Sequence, residues 1–260
     1  LDSVCNRIKE YQPQVILITG DLTKDGDRVS HVFLVERYLK KLKALGTRIF
    51  VIPGNHDINN PHARIYKGNK DSRTATISAR EFATIYKDYG YGEAISRDTS
   101  SLSYVAQLTP RLRLLAVDAC RYEDNDFEKD ICVTAGRIKP STMTFIHDQT
   151  EAARQAGCKM ILVMHHGIIP HFSIERSILP EYLVKDDQAI ARQLVEMGIK
   201  AVFTGHLHSQ DISSDNSLTD IETGSTVSYP HPYRMIEMTD DSMRITTGHI
   251  TYIGPSLILI

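Results

Sequence analysis

Apolar residues recur along this chain in two periods, and the changes between them divide it into helices and strands. Leu1, Val4, Cys5 and Ile8 share one face of a helix, Pro13 closes that segment, and the β-branched run 15–19 reads as a buried strand. Val32, Val35, Leu39, Leu42 and Leu45 return to helical spacing between Ser30, which can cap a helix start, and Gly46, which can end one. Residues 48–52 form the next strand and lead into Pro53-Gly54. Strand, helix, strand in that order predicts a βαβ unit with parallel strands.

Residues 58–76 carry no periodicity and read as an ordered loop or lid. Ser78 with Glu81 predicts a capping box that opens a short helix reaching Tyr89. Two alternating strands are expected at 101–108 and 111–118, followed by an irregular stretch over 122–139. A helix over 141–156, ended by Gly157, leads into a strand at 159–164. A second helix over 187–197, ended by Gly198, leads into a strand at 201–204. Stretches 225–229, 233–238 and 243–249 look like a run of antiparallel strands. The expected fold class is therefore α/β, in a single domain over residues 1–260.

Composition narrows the function classes. With 260 residues and 42% hydrophobic content the chain can bury a large core. A formal net charge of −2 gives no broad attraction to duplex nucleic acid, so none is expected as partner. Cys5, Cys120, Cys132 and Cys158 are widely spaced and are expected to be free thiols. No apolar run approaches the roughly 20 residues of a membrane span.

The chemistry gathers where apolar runs stop. Four strand ends carry Gly20-Asp21, Gly54-Asn55-His56-Asp57, His165-His166 and Gly205-His206-Leu207-His208. In an open α/β sheet the carboxyl ends of parallel strands share one edge, so these groups can converge. Asp, Asn and His are ligands of first-row metals, and a carboxylate can bridge two ions because it has two oxygens. Adjacent side chains on a strand point to opposite faces, so only one of His165 and His166 can face the site.

Gly-Asp, Gly-Asn-His-Asp, a strand-end His and Gly-His-x-His, in this order, resemble the pattern of the calcineurin-like metallophosphoesterases over residues 15–208. That resemblance implies a metallophosphoesterase-type α/β sandwich, with two mixed β-sheets flanked by helices, and a phosphoric ester hydrolase. Residue by residue, it implies that Asp21 bridges two metal ions and that Asn55, His165 and His206 bind the second. His208 would bind the first. His56 would contact phosphate and assist the leaving group, and Asp57 would orient His56. The implied cofactors are two ions drawn from manganese, iron, zinc and cobalt, acting through a metal-bound hydroxide.

The family's Asp-x-His motif is absent from these residues, and the N-terminal strand that carries it is expected to lie before Leu1; the domain is expected to be truncated there, and its C-terminal end is a second place for truncation. A non-catalytic interaction module with an incomplete metal site is the alternative from another class, and a phosphomonoesterase or protein phosphatase-like enzyme the alternative within hydrolases. "HDINNPHARIYKGN" and "ETGSTVSYPHPYRM" look most like bacterial members related to cyclic-nucleotide phosphodiesterases. A phosphodiesterase acting on a small phosphoester, with a cyclic nucleotide as one candidate, is the favoured expectation. Cytoplasmic and exported or lipid-anchored locations both fit that resemblance. Of the remaining histidines, His171 and His231 are candidates for reaching substrate.

Overall fold

A computed structural model describes residues 1–215 and 217–250. Helix α1 (Asp2–Tyr11) precedes strand β1 (Val15–Ile18). Helix α2 (Arg28–Leu34) runs on through a π-helical turn (Val35–Leu39) and a last α turn (Lys40–Lys43) into β2 (Arg48–Val51). β1 and β2 pair in parallel, as the βαβ reading requires. Asp27, not Ser30, caps α2: its carboxylate accepts the Ser30 N–H at 2.9 Å. An acidic cap also complements the positive end of the helix.

The stretch expected to be a loop over 58–76 contains a hairpin, β3 (Arg64–Lys67) and β4 (Lys70–Arg73). All of β4 is exposed, so no apolar face marked it in the sequence. Helix α3 (Ala79–Ile85) opens with the expected Ser78–Glu81 capping box. It ends before Tyr89, where the backbone turns through Gly90 at φ 119°.

The central sheet is assembled from β5 (Ser96–Arg97), β6 (Tyr104–Thr109), β7 (Leu112–Val117), β8 (Lys159–Met164), β9 (Ala201–Thr204), β10 (Ile212–Asp215) and β11 (Leu218–Glu222). These form one seven-stranded mixed sheet in the order β10-β11-β9-β8-β7-β6-β5. β7, β8, β9 and β11 are parallel neighbours, while β5, β6 and β10 run antiparallel to theirs. Among the described residues the second expected mixed sheet is the parallel pair β1–β2. A separate antiparallel pair, β12 (Pro232–Met238) with β13 (Met243–His249), completes the strands. Residues 225–229, expected as a strand, form turns instead. Pro230 offers no N–H and His231 sits at φ 54°, so the ladder cannot continue there.

Both faces of the central sheet are buried, and its side chains sort by period two. Leu114, Ala116, Val163 and Phe203 face a core shared with β2, α2 and α3. Leu115, Val117, Leu162, Met164 and Val202 face the other core, beneath helices α4 (Pro140–Gln155) and α5 (Asp187–Glu196). Helices therefore flank a mixed sheet, in keeping with the expected α/β sandwich. All four cysteines are free. No helix among the described residues is long and apolar enough to cross a membrane.

Candidate metal centre

β1 and β2 belong to one sheet and β8 and β9 to the other, so no single sheet edge gathers the site; the loops that follow these four strands bring Asp21, Asn55, His165 and His206 together. Asp21, His165 and His206 each offer a ligand atom within 4.8 Å of the others. The glycines permit this closeness. A Cβ on Gly54 would collide with the Asp21 carboxylate, and one on Gly20, at φ 91°, would lie 2.7 Å from His165 Nδ1. Asp21 itself adopts a left-handed φ of 50°. That turn points its carboxylate back across the strand ends.

His165 is fixed by its backbone partner. Its Nδ1 donates to the Thr19 carbonyl oxygen at 2.7 Å, leaving Nε2 as the ring's free position. Nε2 lies 3.1 Å from Asn55 Oδ1 and 3.4 Å from Asp21 Oδ2. A neutral imidazole would aim its lone pair at two oxygens, so the arrangement needs positive charge between them. Without an ion a proton supplies it: burial alone would lower the His165 pKa, yet the Asp21 charge and hydrogen bond raise it to about 9. Burial pushes the Asp21 carboxyl the other way, but His165 holds it well below the usual range. His206 adds a buried Nε2 with no hydrogen-bond partner. Donor set, convergence and orphaned nitrogen all fit a first-row divalent cation.

The remaining expected residues take distinct places. His208 is exposed in a left-handed turn at φ 60°, close enough for its imidazole to feel Asp21, His165 and His56. The His56 side chain is exposed at the mouth, while its backbone N–H donates to Asp21 Oδ1 at 3.1 Å. His166 packs its ring 4.7 Å from that of His206, but its Nε2 donates to the Thr134 carbonyl at 2.8 Å and its Nδ1 is buried without a partner; burial drives its pKa down to about 3. Of the two, only His165 groups a ring nitrogen with Asp21 and His206.

Asp57 is fully buried, and its carboxylate is spent on the backbone rather than on the His56 ring. It accepts from Leu22 N at 3.1 Å, Gly54 N at 2.8 Å, Thr23 N at 2.9 Å and the Thr23 hydroxyl at 3.2 Å. The Asp21 loop and the Asn55–His56 loop are locked together by it. Buried His31 supports the lock, bridging the Asp57 carbonyl at 3.0 Å and the Tyr86 hydroxyl at 2.8 Å.

A second latch holds the two histidine loops. The fully buried Asp220 on β11 accepts from Ile168 N at 2.7 Å and Ile169 N at 3.1 Å, just beyond His165-His166. It also accepts from the Thr204 hydroxyl, one residue before Gly205-His206. Thr204 bonds Glu222 at 2.9 Å as well. His171 joins this latch, donating from Nδ1 to Asp211 at 2.9 Å, so its ring is not offered to substrate. His231 bonds the Thr226 carbonyl at 3.1 Å and stays outside the cluster. Sequence reasoning missed Thr19, Thr23, His31, Thr204, Asp220 and Glu222. Thr19 contributes a carbonyl, which no side chain announces, and Asp220 and Glu222 look like surface residues until β11 is recognised as an inner strand.

Comparison with known proteins agrees with this geometry. Residues 1–210 match the family model described as calcineurin-like phosphoesterase. No curated protein matches by sequence. Among solved structures, a dimetal phosphatase from Danio rerio is similar with TM-score 0.65 at 12% identity, over 95% of this chain and 84% of that one. A Staphylococcus aureus structure described as a 5'-nucleotidase, in complex with alpha-ketoglutarate, is similar with TM-score 0.54 at 12% identity. That match covers 96% of this chain and 47% of the other. At these identities the two structures speak for the fold alone.

Proposed function

The chain belongs to the calcineurin-like phosphoesterase family, and from that premise we propose that its strand-end cluster holds two divalent cations and hydrolyses a small-molecule phosphodiester. Metal-dependent phosphoester hydrolysis is the chemistry of the family; the preference for a diester, with a cyclic nucleotide as one candidate, is the finer step. The observation that carries the reading is the convergence of Asp21 Oδ2, Asn55 Oδ1 and His165 Nε2 on one point with no donor among them but a proton. Such a point suits a cation.

When bound, the ions supply positive charge to the phosphoryl oxygens and make a nearby water more acidic. Asp21, Asn55, His165 and His206 would hold one ion. Asp21, shared between the two, and His208 would hold the other. His56, at the mouth, would contact the phosphoryl group and give a proton to the leaving oxygen. Asp57 would set the position of His56 through the backbone of residues 54–56, since its carboxylate carries the Gly54 N–H. The Thr19 carbonyl accepts the Nδ1–H hydrogen bond and so keeps His165 Nε2 available.

Parallel turnover measurements on bis-p-nitrophenyl phosphate, p-nitrophenyl phosphate and 2',3'- and 3',5'-cyclic nucleotides, each with manganese, iron, zinc and cobalt, test the assignment. A higher kcat/KM on a diester than on the monoester supports it. Faster turnover of the monoester replaces it with a phosphomonoesterase. Metal binding with no turnover of any ester points to the non-catalytic interaction module.

A further inference from the structure

A cleft of about 520 Å³ opens between α3 and the segment joining β5 to β6, away from the strand-end cluster. Its floor is apolar, built from Ala83, Leu102 and the ring of Tyr91. Arg80, Lys87 and Arg97 stand around it. Most arginines of this chain bond to a carboxylate or a carbonyl, but among the described residues the side chains of Arg80, Lys87 and Arg97 have no hydrogen bond or ion pair. Arg97 instead lies with its guanidinium 5.3 Å from the centre of the Tyr91 ring. The Tyr91 hydroxyl is buried without a hydrogen-bond partner. Thr99 and Ser100 add hydroxyls to the same wall.

Cations held around an apolar floor select a ligand with both characters. Guanidinium groups favour phosphate because their planar donors match its oxygens, and a ring or hydrocarbon body would cover Leu102 and Tyr91. Though separate from the metal centre, the cleft is connected to it through neighbouring strands and one loop. Tyr104, at the start of β6, pairs with Ala116 on β7, and Val117 pairs with Met164, the residue before His165. Tyr122, on the cleft wall, donates to Asp118 at 2.9 Å, and Cys120 Sγ donates to the Pro53 carbonyl at 3.3 Å, just before Gly54. One loop therefore touches both places.

We propose that this cleft binds a small organic phosphate, an apolar or aromatic body bearing a dianionic phosphoryl head, at a site separate from the metal cluster. The head would lie between Arg80, Lys87 and Arg97, with the body over Tyr91 and Leu102. Isothermal titration of phenylphosphonate, which has no ester bond to cleave, into the purified protein tests it. Inorganic phosphate and benzyl alcohol are the separate-part controls. Phenylphosphonate is expected to bind at least about tenfold more tightly than either control. Arg97→Gln and the pair Arg80→Gln with Lys87→Gln are each expected to weaken it about tenfold or more while turnover of bis-p-nitrophenyl phosphate stays within about twofold. Circular dichroism of each variant confirms that it is folded. Undiminished binding in both folded variants would place the ligand elsewhere and overturn the proposal, as would inorganic phosphate binding as tightly as phenylphosphonate.

Discussion

The Nδ1 of His165 lies 2.7 Å from the carbonyl oxygen of Thr19, so a backbone group at the end of one strand decides which nitrogen of a histidine on another faces the cluster. Strand ends here do more than present side chains. They orient one another's.

The side chain of His56 opens to solvent while its backbone N–H is tied to Asp21. A role in protonating the leaving oxygen is separable from metal binding. His56→Ala is expected to keep its metal content and lose about a hundredfold or more in kcat. Metal analysis and steady-state kinetics on the same preparation check both halves.

Asp57 satisfies three backbone N–H groups and a hydroxyl in a fully buried place. Asp57→Ala strands those donors, and the expected cost is about 3 kcal/mol or more of unfolding free energy. Urea unfolding measures it. A loss below about 1 kcal/mol would mean that the two loops do not depend on this carboxylate.

Asp220 fastens the loop after His165 to the strand that ends before His206. Asp220→Asn keeps the size but gives up the charge and one acceptor, so both histidines lose some of their preset position. Metal affinity is expected to fall about tenfold or more, read by competition with a chelating dye. Unchanged affinity would restrict the latch to folding.

Glu222 gives a pH signature. Burial, and then the neighbouring Asp220 charge, lift its pKa from 4.5 to about 8. Between those values the folded protein keeps a proton that the unfolded chain has released, so stability falls as pH rises through the window. His171 has the same sign. Burial would lower it, but Asp220 and Asp211 hold it up at about 9, so its contribution is full below 6.5 and lost as pH passes about 9. Glu222→Gln removes only the first titration. Tm should therefore decline less steeply for the variant than for the parent between about pH 6.5 and 8. Equal slopes would show that Glu222 is ionised in the folded protein.

How much of this could be read in the sequence follows from where each signal resides. Buried parallel strands are nearly continuous apolar runs, so a run that stops at Gly20-Asp21 or at His165-His166 stands out. Which of His165 and His166 joins Asp21 is decided beyond the strand's end, where the Thr19 carbonyl holds His165 Nδ1 and the Thr134 carbonyl holds His166 Nε2. β11 stayed hidden because Asp220 and Glu222 break its apolar pattern, and they do so in order to bond the loops of neighbouring strands. β3 and β4 stayed hidden for the opposite reason, since an exposed hairpin has no inner face to mark. The separation of Asp57 from the His56 ring could not be read at all, because its partners are backbone N–H groups.

The central claim is that the converging Asp21, Asn55, His165 and His206 side chains hold a cation that phosphoester hydrolysis requires. The direct test is the turnover of bis-p-nitrophenyl phosphate before chelation, after it and after manganese is restored, for the parent and Asp21→Asn, with bound metal counted at each stage. The parent is expected to lose its activity with its metal and regain both, while the variant binds less metal and stays slow by about a hundredfold or more. Turnover that survives complete removal of metal, or an Asp21→Asn protein that binds and works like the parent, would contradict it.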